Sequence, residues 1–368
     1  MVAPVFSLYA RDRGADEALV GLLGAVPSVV SVLCAIPGGA IAGSFGKSAV
    51  FTWAFIAGVL AAAGYVVAPG ASWLIPVQAL FGLNSSLFWP SQGAYVTEVI
   101  PERHRARILG LVMSITGAAA VLGPAVAGVL ADRLGYSAMF VVYGVIGCVS
   151  MALCRRIRDG ADGVSLVDVR RAVRSSVSAA KQILDRRTLR FTSLATILTF
   201  AFAAILDGFL PLYLGDMGYS VAFAGGIITI RMAFFMGGRL ASGRLMAALK
   251  MESLLLIILF AGIAAVGLVP VLDGRPYMAL ANAFAGVSLG IAPVITTVII
   301  ASATDDEERP VAMAVDSTAC GMGRILSSLL FGQVAKIWGS GTSLLLGCSL
   351  LSGCTLALAA WFERGSDG

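Results

Sequence analysis

Charged residues are scarce in this sequence. Aspartate, glutamate, lysine and arginine make up 13% of the 368 residues, while hydrophobic residues make up 58%. A soluble domain carries about 25% charged residues, and a chain with so little charge cannot cover its apolar surface in water. We expect the excess to face lipid, which is as apolar as the side chains. The composition therefore excludes an ordinary soluble domain and predicts a protein of the lipid bilayer.

Histidine is almost absent, and cysteines with ligand-like spacing are lacking. The sequence has one histidine, His104, and its six cysteines show no C-x-x-C pair. Zinc sites and catalytic triads need such residues close together. We therefore predict neither an enzyme nor a metal or cofactor. The net charge of +5 is modest and forms no basic patch typical of nucleic-acid binding.

Long apolar runs predict an all-α transmembrane protein. A membrane helix needs about 20 residues, so the chain has room for roughly a dozen spans. The predicted spans are 1–9, 19–45, 48–68, 73–98, 106–131, 136–154, 190–214, 220–247, 253–271, 277–302, 310–336 and 341–362. The first is too short, because nine residues rise about 14 Å in a helix and the hydrocarbon core is ~30 Å thick.

The sequence repeats without gaps at an offset of 204 positions. Tyr9 aligns with Tyr213, and nine glycine pairs follow the same register, against about two expected by chance. The repeat predicts two parallel six-helix bundles related by a pseudo-twofold axis along the membrane normal. The counterpart of the seventh span would begin before Met1, so we expect the first helix to be truncated and the true start to lie upstream.

Lysine and arginine concentrate on one side of the predicted membrane. The loops after even-numbered spans, with the C-terminus, hold 18 of the 26 basic residues. The positive-inside rule places these segments in the cytoplasm of a protein of the cell membrane. The predicted domains are an N-terminal bundle at 1–158, a linker at 159–188 and a C-terminal bundle at 189–368. Apolar residues at helical spacing among arginines predict an amphipathic linker helix on the inner leaflet; a flexible linker is the alternative.

The architecture resembles the major facilitator superfamily, and the loop after span 2 supports the resemblance. Gly39, Gly46 and Lys47 match the superfamily's loop signature. Gly43 and Ser44 occupy the positions of its acid and first basic residue. That acid latches the cytoplasmic gate in the superfamily, so the resemblance implies a gate built differently here.

Span 5 resembles the signature of the superfamily's exporters, G-x-x-x-G-P-x-x-G-G. Gly123, Pro124 and Gly128 match it, and alanine replaces two of its glycines. Small residues let helices approach closely, and a proline bends a helix; generic helix packing is the alternative. Span 4 departs from exporters, because Gln78 stands where the resemblance implies an arginine.

Ionisable residues at membrane depth occur only in the second half. They are Asp207, Arg231, Arg239, Asp316 and Arg324, and their counterparts are small or apolar. A charge at this depth is expensive unless paired or hydrated, so it is a functional candidate. The two aspartates are candidates for proton coupling, and the two midplane arginines, Arg231 and Arg324, for substrate binding. We assign Arg239 to gating and packing; a structural Asp316–Arg239 ion pair is the alternative.

Polar and aromatic residues add further cavity candidates. These are Asn84, Trp89 and Gln92 in span 4, and Asn282 in span 10. Such groups suit a mid-membrane pocket, although Trp89 equally suits packing.

The sequence as a whole predicts a monomeric secondary transporter that exports a small organic molecule by alternating access, with protons as the coupling ion. Its partners would be lipid, protons and the transported molecule, without nucleic acid. Two alternatives stay open. One is uptake or facilitated transport of a small anionic metabolite, and the other is a non-transporting membrane sensor or scaffold.

Overall fold

The computed structural model describes residues 3–45, 47–99, 102–154, 184–272, 274–305 and 308–364. These residues form twelve helices, which confirms the predicted all-α class. The first half contains α1 Ala3–Asp12, α2 Glu17–Phe45, α3 Lys47–Val67, α4 Leu74–Val99 after a short 3-10 turn Ala71–Trp73, and α5 and α6 within Glu102–Cys154. The second half contains α7 Arg187–Asp216, α8 Val221–Ala248, α9 Met251–Gly267, α10 Arg275–Ala303, α11 Arg309–Trp338 and α12 Ser340–Glu363.

The helix ends agree with the predicted spans to within about four residues, and the largest differences are at the start of α5, Glu102 instead of 106, and at the end of α9. Helix α9 ends at Gly267, whereas the predicted span continued to 271. Pro270 follows at once, and proline cannot supply the backbone N–H that a helix interior requires. Residues 155–183, which hold most of the predicted linker and its amphipathic helix, lie outside the described residues.

The two halves turn their chains in the same way at equivalent positions. Gly135 joins α5 to α6 with φ 80° and ψ 164°, and Gly339 joins α11 to α12 with φ 86° and ψ 164°. Gly14 and Gly218, after α1 and α7, also have positive φ. Glycine adopts this region without the steric cost that other residues meet. The glycine register of the sequence therefore reflects matching turns, and the predicted pseudo-symmetry is confirmed.

The halves meet through two equivalent helix pairs, α2 with α11 and α5 with α8. A Cβ on Gly21 would lie 2.8 Å from Cα of Gly332. At the equivalent contact, a Cβ on Gly225 would lie 2.6 Å from the carbonyl oxygen of Pro124 and 3.2 Å from Cα of Gly128. Real side chains do not fit at such distances, so glycine is required where the helices cross.

Both crossings lie toward one end of the bundle, where α2 and α8 begin. We call this end the α1–α2 face; the turns α1–α2, α3–α4, α5–α6, α7–α8, α9–α10 and α11–α12 form it. Seven stretches of the described helices are long and apolar enough to cross a membrane, including Arg187–Asp216 and Arg275–Ala303. The midpoints of α7 and α8 therefore lie within membrane-spanning stretches, and α11 packs lengthwise against α7 and α2.

Candidate functional site

A cluster of three charges lies between α7, α8 and α11. Asp207 accepts a hydrogen bond from Nη2 of Arg231 at 2.5 Å through its Oδ1. Its Oδ2 lies 3.6 Å from Nη1 of Arg324. The Arg231 side chain is 1% exposed, while those of Asp207 and Arg324 are 33% and 36% exposed. One carboxylate thus faces two guanidinium groups, one buried behind it and one open beside it.

Helix α10 packs closely against α8 beside Arg231. A Cβ on Gly286 would lie 3.0 Å from the backbone nitrogen of Phe235, so only glycine lets the two helices come this near. Within the described part of the chain, Nε and Nη1 of Arg231 have no hydrogen-bond partner. Asp207 therefore supplies the countercharge that makes burial of this guanidinium tolerable.

Tight contact between α7 and α11 places Arg324 opposite Asp207. Ser327 donates a hydrogen bond to the carbonyl of Ala201 at 2.8 Å. A Cβ on Gly323 would lie 3.1 Å from the backbone nitrogen of Ala201. The guanidinium of Arg324 lies 5.4 Å above the Phe200 ring, within the range of a cation–π contact.

Asp316 has very different surroundings from Asp207. It accepts a hydrogen bond at 2.6 Å from the hydroxyl of Thr196 on α7, and no cation pairs with it among the described residues. The alternative Asp316–Arg239 ion pair is wrong, because the Arg239 guanidinium instead lies 4.6 Å above the Phe235 ring on its own helix. Helical rise places Asp316 about 12 Å along α11 from Arg324, on roughly the same face.

The polar candidates of α4 and α10 are placed unevenly. Asn84 donates a hydrogen bond at 2.7 Å to the carbonyl of Ala54 on α3, a helix that packs within its own half. Its amide therefore helps to pack α4 against α3, and its place in the cavity stays a prediction. Asn282 is fully buried, and its Nδ2 donates a hydrogen bond to the carbonyl of Met278 on its own helix.

The remaining candidates are placed as follows. Trp89 is 53% exposed and its ring packs against Phe88, and Gln92 is partly exposed. Pro124 and Gly128 lie at the α5–α8 crossing, with Gly123 beside them in α5. Gly46 lies outside the described residues, as do any side-chain contacts of Lys47 and the surroundings of Gly39.

Sequence reasoning missed a set of ion pairs on the α1–α2 face. Arg11 binds Asp216 at 2.5 Å, and Asp16 binds Lys336 at 3.0 Å, so each pair joins one half to the other. Ser340 also donates a hydrogen bond to Asp216. Opposite charges at the ends of helices predicted on the same side of the membrane are the only sequence signal for these contacts.

Asp16 also caps α2. Its Oδ1 accepts a hydrogen bond at 2.8 Å from the backbone N–H of Leu19, the usual geometry of an N-cap. This backbone hydrogen bond, and then Lys336, hold the pKa of Asp16 below its ordinary value. Ser220 is the counterpart of Asp16 and caps α8 in the same way, through the N–H of Phe223.

Comparison with known proteins identifies the family. Residues 1–328 match the family model described as Major Facilitator Superfamily. The chain belongs to the Major Facilitator Superfamily. It is therefore a multi-pass membrane transporter, in a superfamily that is generally not enzymatic. Like the solved structure of a mutant of the nucleoside transporter NupG, it has this superfamily's fold: the TM-score is 0.81 over 99% of this chain and 94% of that one. At 12% identity this likeness shows the fold alone.

Two curated relatives of the chain have known roles. The methylenomycin A resistance protein of Bacillus subtilis is 28% identical over 44% of this chain. The Na(+), Li(+), K(+)/H(+) antiporter of Planococcus maritimus is 29% identical over 35% of it. The matches span about a third of those two proteins, 33% and 32% of their lengths.

Proposed function

We propose that this transporter exports a small organic molecule in exchange for protons, by alternating access. The observation that carries the proposal is Asp316, a carboxylate within the membrane-spanning α11 with a neutral hydroxyl, that of Thr196, as its partner. An ionised carboxylate at this depth is costly without a countercharge. A proton neutralises it, so Asp316 suits reversible proton binding.

The two aspartates suit different roles. Asp207 neutralises the buried Arg231 at 2.5 Å and has a second guanidinium beside it. Because the Asp207 carboxylate is engaged by Arg231 and lies beside Arg324, we assign Asp207 to the substrate site and Asp316 to proton coupling. Both lie along the α7–α11 contact, so a change at one is readily passed to the other.

The contacts between the halves support the rocking motion. The glycine crossings at Gly21 and Gly225, and the ion pairs Arg11–Asp216 and Asp16–Lys336, hold the halves together on the α1–α2 face. Opening of this face requires these contacts to break together. In the proposed cycle they form when the opposite face opens, as rigid-body rocking about a central site demands.

Similarity to a resistance protein and to a cation/proton antiporter supports export and proton exchange. The test compares Asp316→Asn with the control Asp305→Asn, which changes an exposed aspartate between α10 and α11. A thermal-shift screen of the purified protein against drugs and metabolites supplies a transported probe. In proteoliposomes with a pH gradient, we expect Asp316→Asn to lose gradient-driven transport and Asp305→Asn to keep it. Equal gradient-driven transport by Asp316→Asn and the wild type would exclude this role.

The surplus guanidinium at Arg324 favours a second candidate, facilitated transport or uptake of a small anion. That mechanism uses the arginines and needs no titrating carboxylate. It is distinguished by a flux that does not change when the pH gradient is collapsed with nigericin.

A further inference from the structure

The charges around Asp207 do not balance. The carboxylate is matched by Arg231, to which it is hydrogen bonded at 2.5 Å. Its distance of 3.6 Å to Arg324 is too long for a hydrogen bond. Asp316 lies about two helical turns farther along α11, and the counterparts of the three residues in the first half are Ala3, Pro27 and Ala120. Within the described residues the cluster therefore carries one positive charge in excess.

The excess charge is the accessible one. Arg231 is 1% exposed, whereas Arg324 is 36% exposed. The Phe200 ring beneath Arg324 is itself partly exposed. An incoming molecule thus meets a planar guanidinium beside an aromatic surface, and the buried Arg231 keeps Asp207 from neutralising Arg324. A guanidinium of this kind binds carboxylates through two parallel hydrogen bonds.

We infer that the transported molecule is a small organic monoanion whose carboxylate binds Arg324 while a flat apolar part packs on Phe200. This inference rests on the proposed function, because it names the class of molecule that the transporter carries. Binding of a monoanion makes the cluster neutral and so lowers the cost of holding charge at this depth. A cation would add to the excess positive charge, and a neutral amide would leave it unbalanced.

Membrane potential would then assist export. An outward-moving anion and an inward-moving proton both carry positive charge inward, which a negative interior favours. In proteoliposomes, export of the anion should therefore speed up when a potassium gradient and valinomycin make the cytoplasmic side negative. A flux that is insensitive to this potential would contradict the exchange of an anion for a proton.

The binding experiment uses three probes with the same aromatic end: hippurate, its neutral amide hippuramide, and the cation N-(2-aminoethyl)benzamide. Binding to the purified full chain is measured by titration calorimetry. We expect hippurate to bind at least about tenfold more tightly than hippuramide, because hydrogen bonds to a charged group usually contribute that much to affinity. We expect the cation to bind most weakly. Equal binding of the three probes, or preference for the cation, would overturn the inference.

Variants locate the preference. Arg324→Gln should bind hippurate and hippuramide equally, whereas Arg133→Gln, which removes an exposed arginine at the α5–α6 turn, should keep the preference. Phe200→Leu preserves every charge and should weaken the binding of both probes several-fold. If Arg324→Gln does not fold, undiminished binding to Phe200→Leu still contradicts the site.

The two proposals can fail separately. Asp316→Asn should lose proton-driven transport and keep its preference for hippurate. Proton-driven export of a cationic probe, with no preference for hippurate, would retain the proposed function and remove the inference. A hippurate preference without proton-driven transport would retain the inferred binding site for an anion and remove the proposed proton exchange.

Discussion

At the scale of single residues, Arg231 stands out in the described part of the molecule because it is a charged side chain buried at membrane depth. It is almost fully buried, and one of its nitrogens is hydrogen bonded to Asp207. Removal of one partner of a buried ion pair leaves an uncompensated charge, which costs more than the pair itself contributes. Asp207 thus stabilises the buried Arg231 and also lies beside Arg324.

Asp207→Asn should therefore destabilise the protein by about 3 kcal/mol, the lower end of the range for a broken buried pair, because Asp207 is itself partly exposed. Melting temperatures of the detergent-purified variants measure this, with Asp305→Asn as the control. Asp207→Asn combined with Arg231→Gln should recover part of the loss. A single variant as stable as the wild type would show that Arg231 has another countercharge.

At the scale of helices, contacts between backbones decide how the halves meet. The crossing of α5 and α8 depends on Gly225, where a Cβ would meet the carbonyl oxygen of Pro124, while the neighbouring Gly226 has nothing within 4 Å of its Cβ position. The two glycines differ by one position in the same helix, and so share its propensity. They differ only in what lies beside them.

Gly225→Leu should push α5 and α8 apart and cost about 1–3 kcal/mol, as overpacking does. Gly226→Leu, the matched control, should stay close to the wild type. Melting temperatures report the cost, and hydrogen–deuterium exchange at the start of α8 reports the opening of the α1–α2 face. Similar behaviour of the two variants would contradict the crossing described here.

At the scale of the whole molecule, the halves share one backbone plan and differ in charge. Matching glycines give matching turns and crossings, yet the deep charges lie in α7, α8 and α11 of the second half. The ion pairs of the α1–α2 face are also unsymmetric, since Ser220 and Asp132 stand where Asp16 and Lys336 would have their counterparts. A symmetric scaffold therefore carries a one-sided site.

Lys336→Glu should open the α1–α2 face by repelling Asp16, whereas Lys336→Arg should not. Both partners are about half exposed, so the pair contributes at most about 1 kcal/mol. Faster hydrogen–deuterium exchange at the ends of α2 and α11 is the expected result, and unchanged exchange in Lys336→Glu would contradict it.

The pH dependence of this pair follows from the pKa of Asp16, which is lowered from its ordinary value of 3.8. The contribution of the pair to stability is complete above pH 3.8 and is lost as the pH falls through the lower pKa that Asp16 has in the folded protein. The difference in hydrogen–deuterium exchange between the wild-type and Lys336→Glu proteins should thus be the same at pH 7 and pH 5.

Much of the fold was predictable because lipid imposes simple rules on a sequence. A span in the hydrocarbon core must be apolar and must satisfy its backbone hydrogen bonds within the protein, which a long apolar run does by forming a helix. Helix ends were less certain where a single residue such as Pro270 intervenes. The charges at membrane depth were recognised as unusual in the sequence, but their partners were not predicted. Arg239 stacks on Phe235 instead of pairing with Asp316. The hydrogen bond from Asn84 to α3 was not predicted either.

The sequence by itself determined the class, the twelve helices, the twofold repeat and the residues that break its symmetry. These follow from composition and periodicity, which are local or repeated along the chain. Only the tertiary structure decided that Asp207 pairs with Arg231, that Asp316 meets a hydroxyl, and that Arg324 is left open beside Phe200. The physical reason is that a pairing depends on the rotation of each helix about its axis and on how closely neighbouring helices pack, and small residues on several helices set both together.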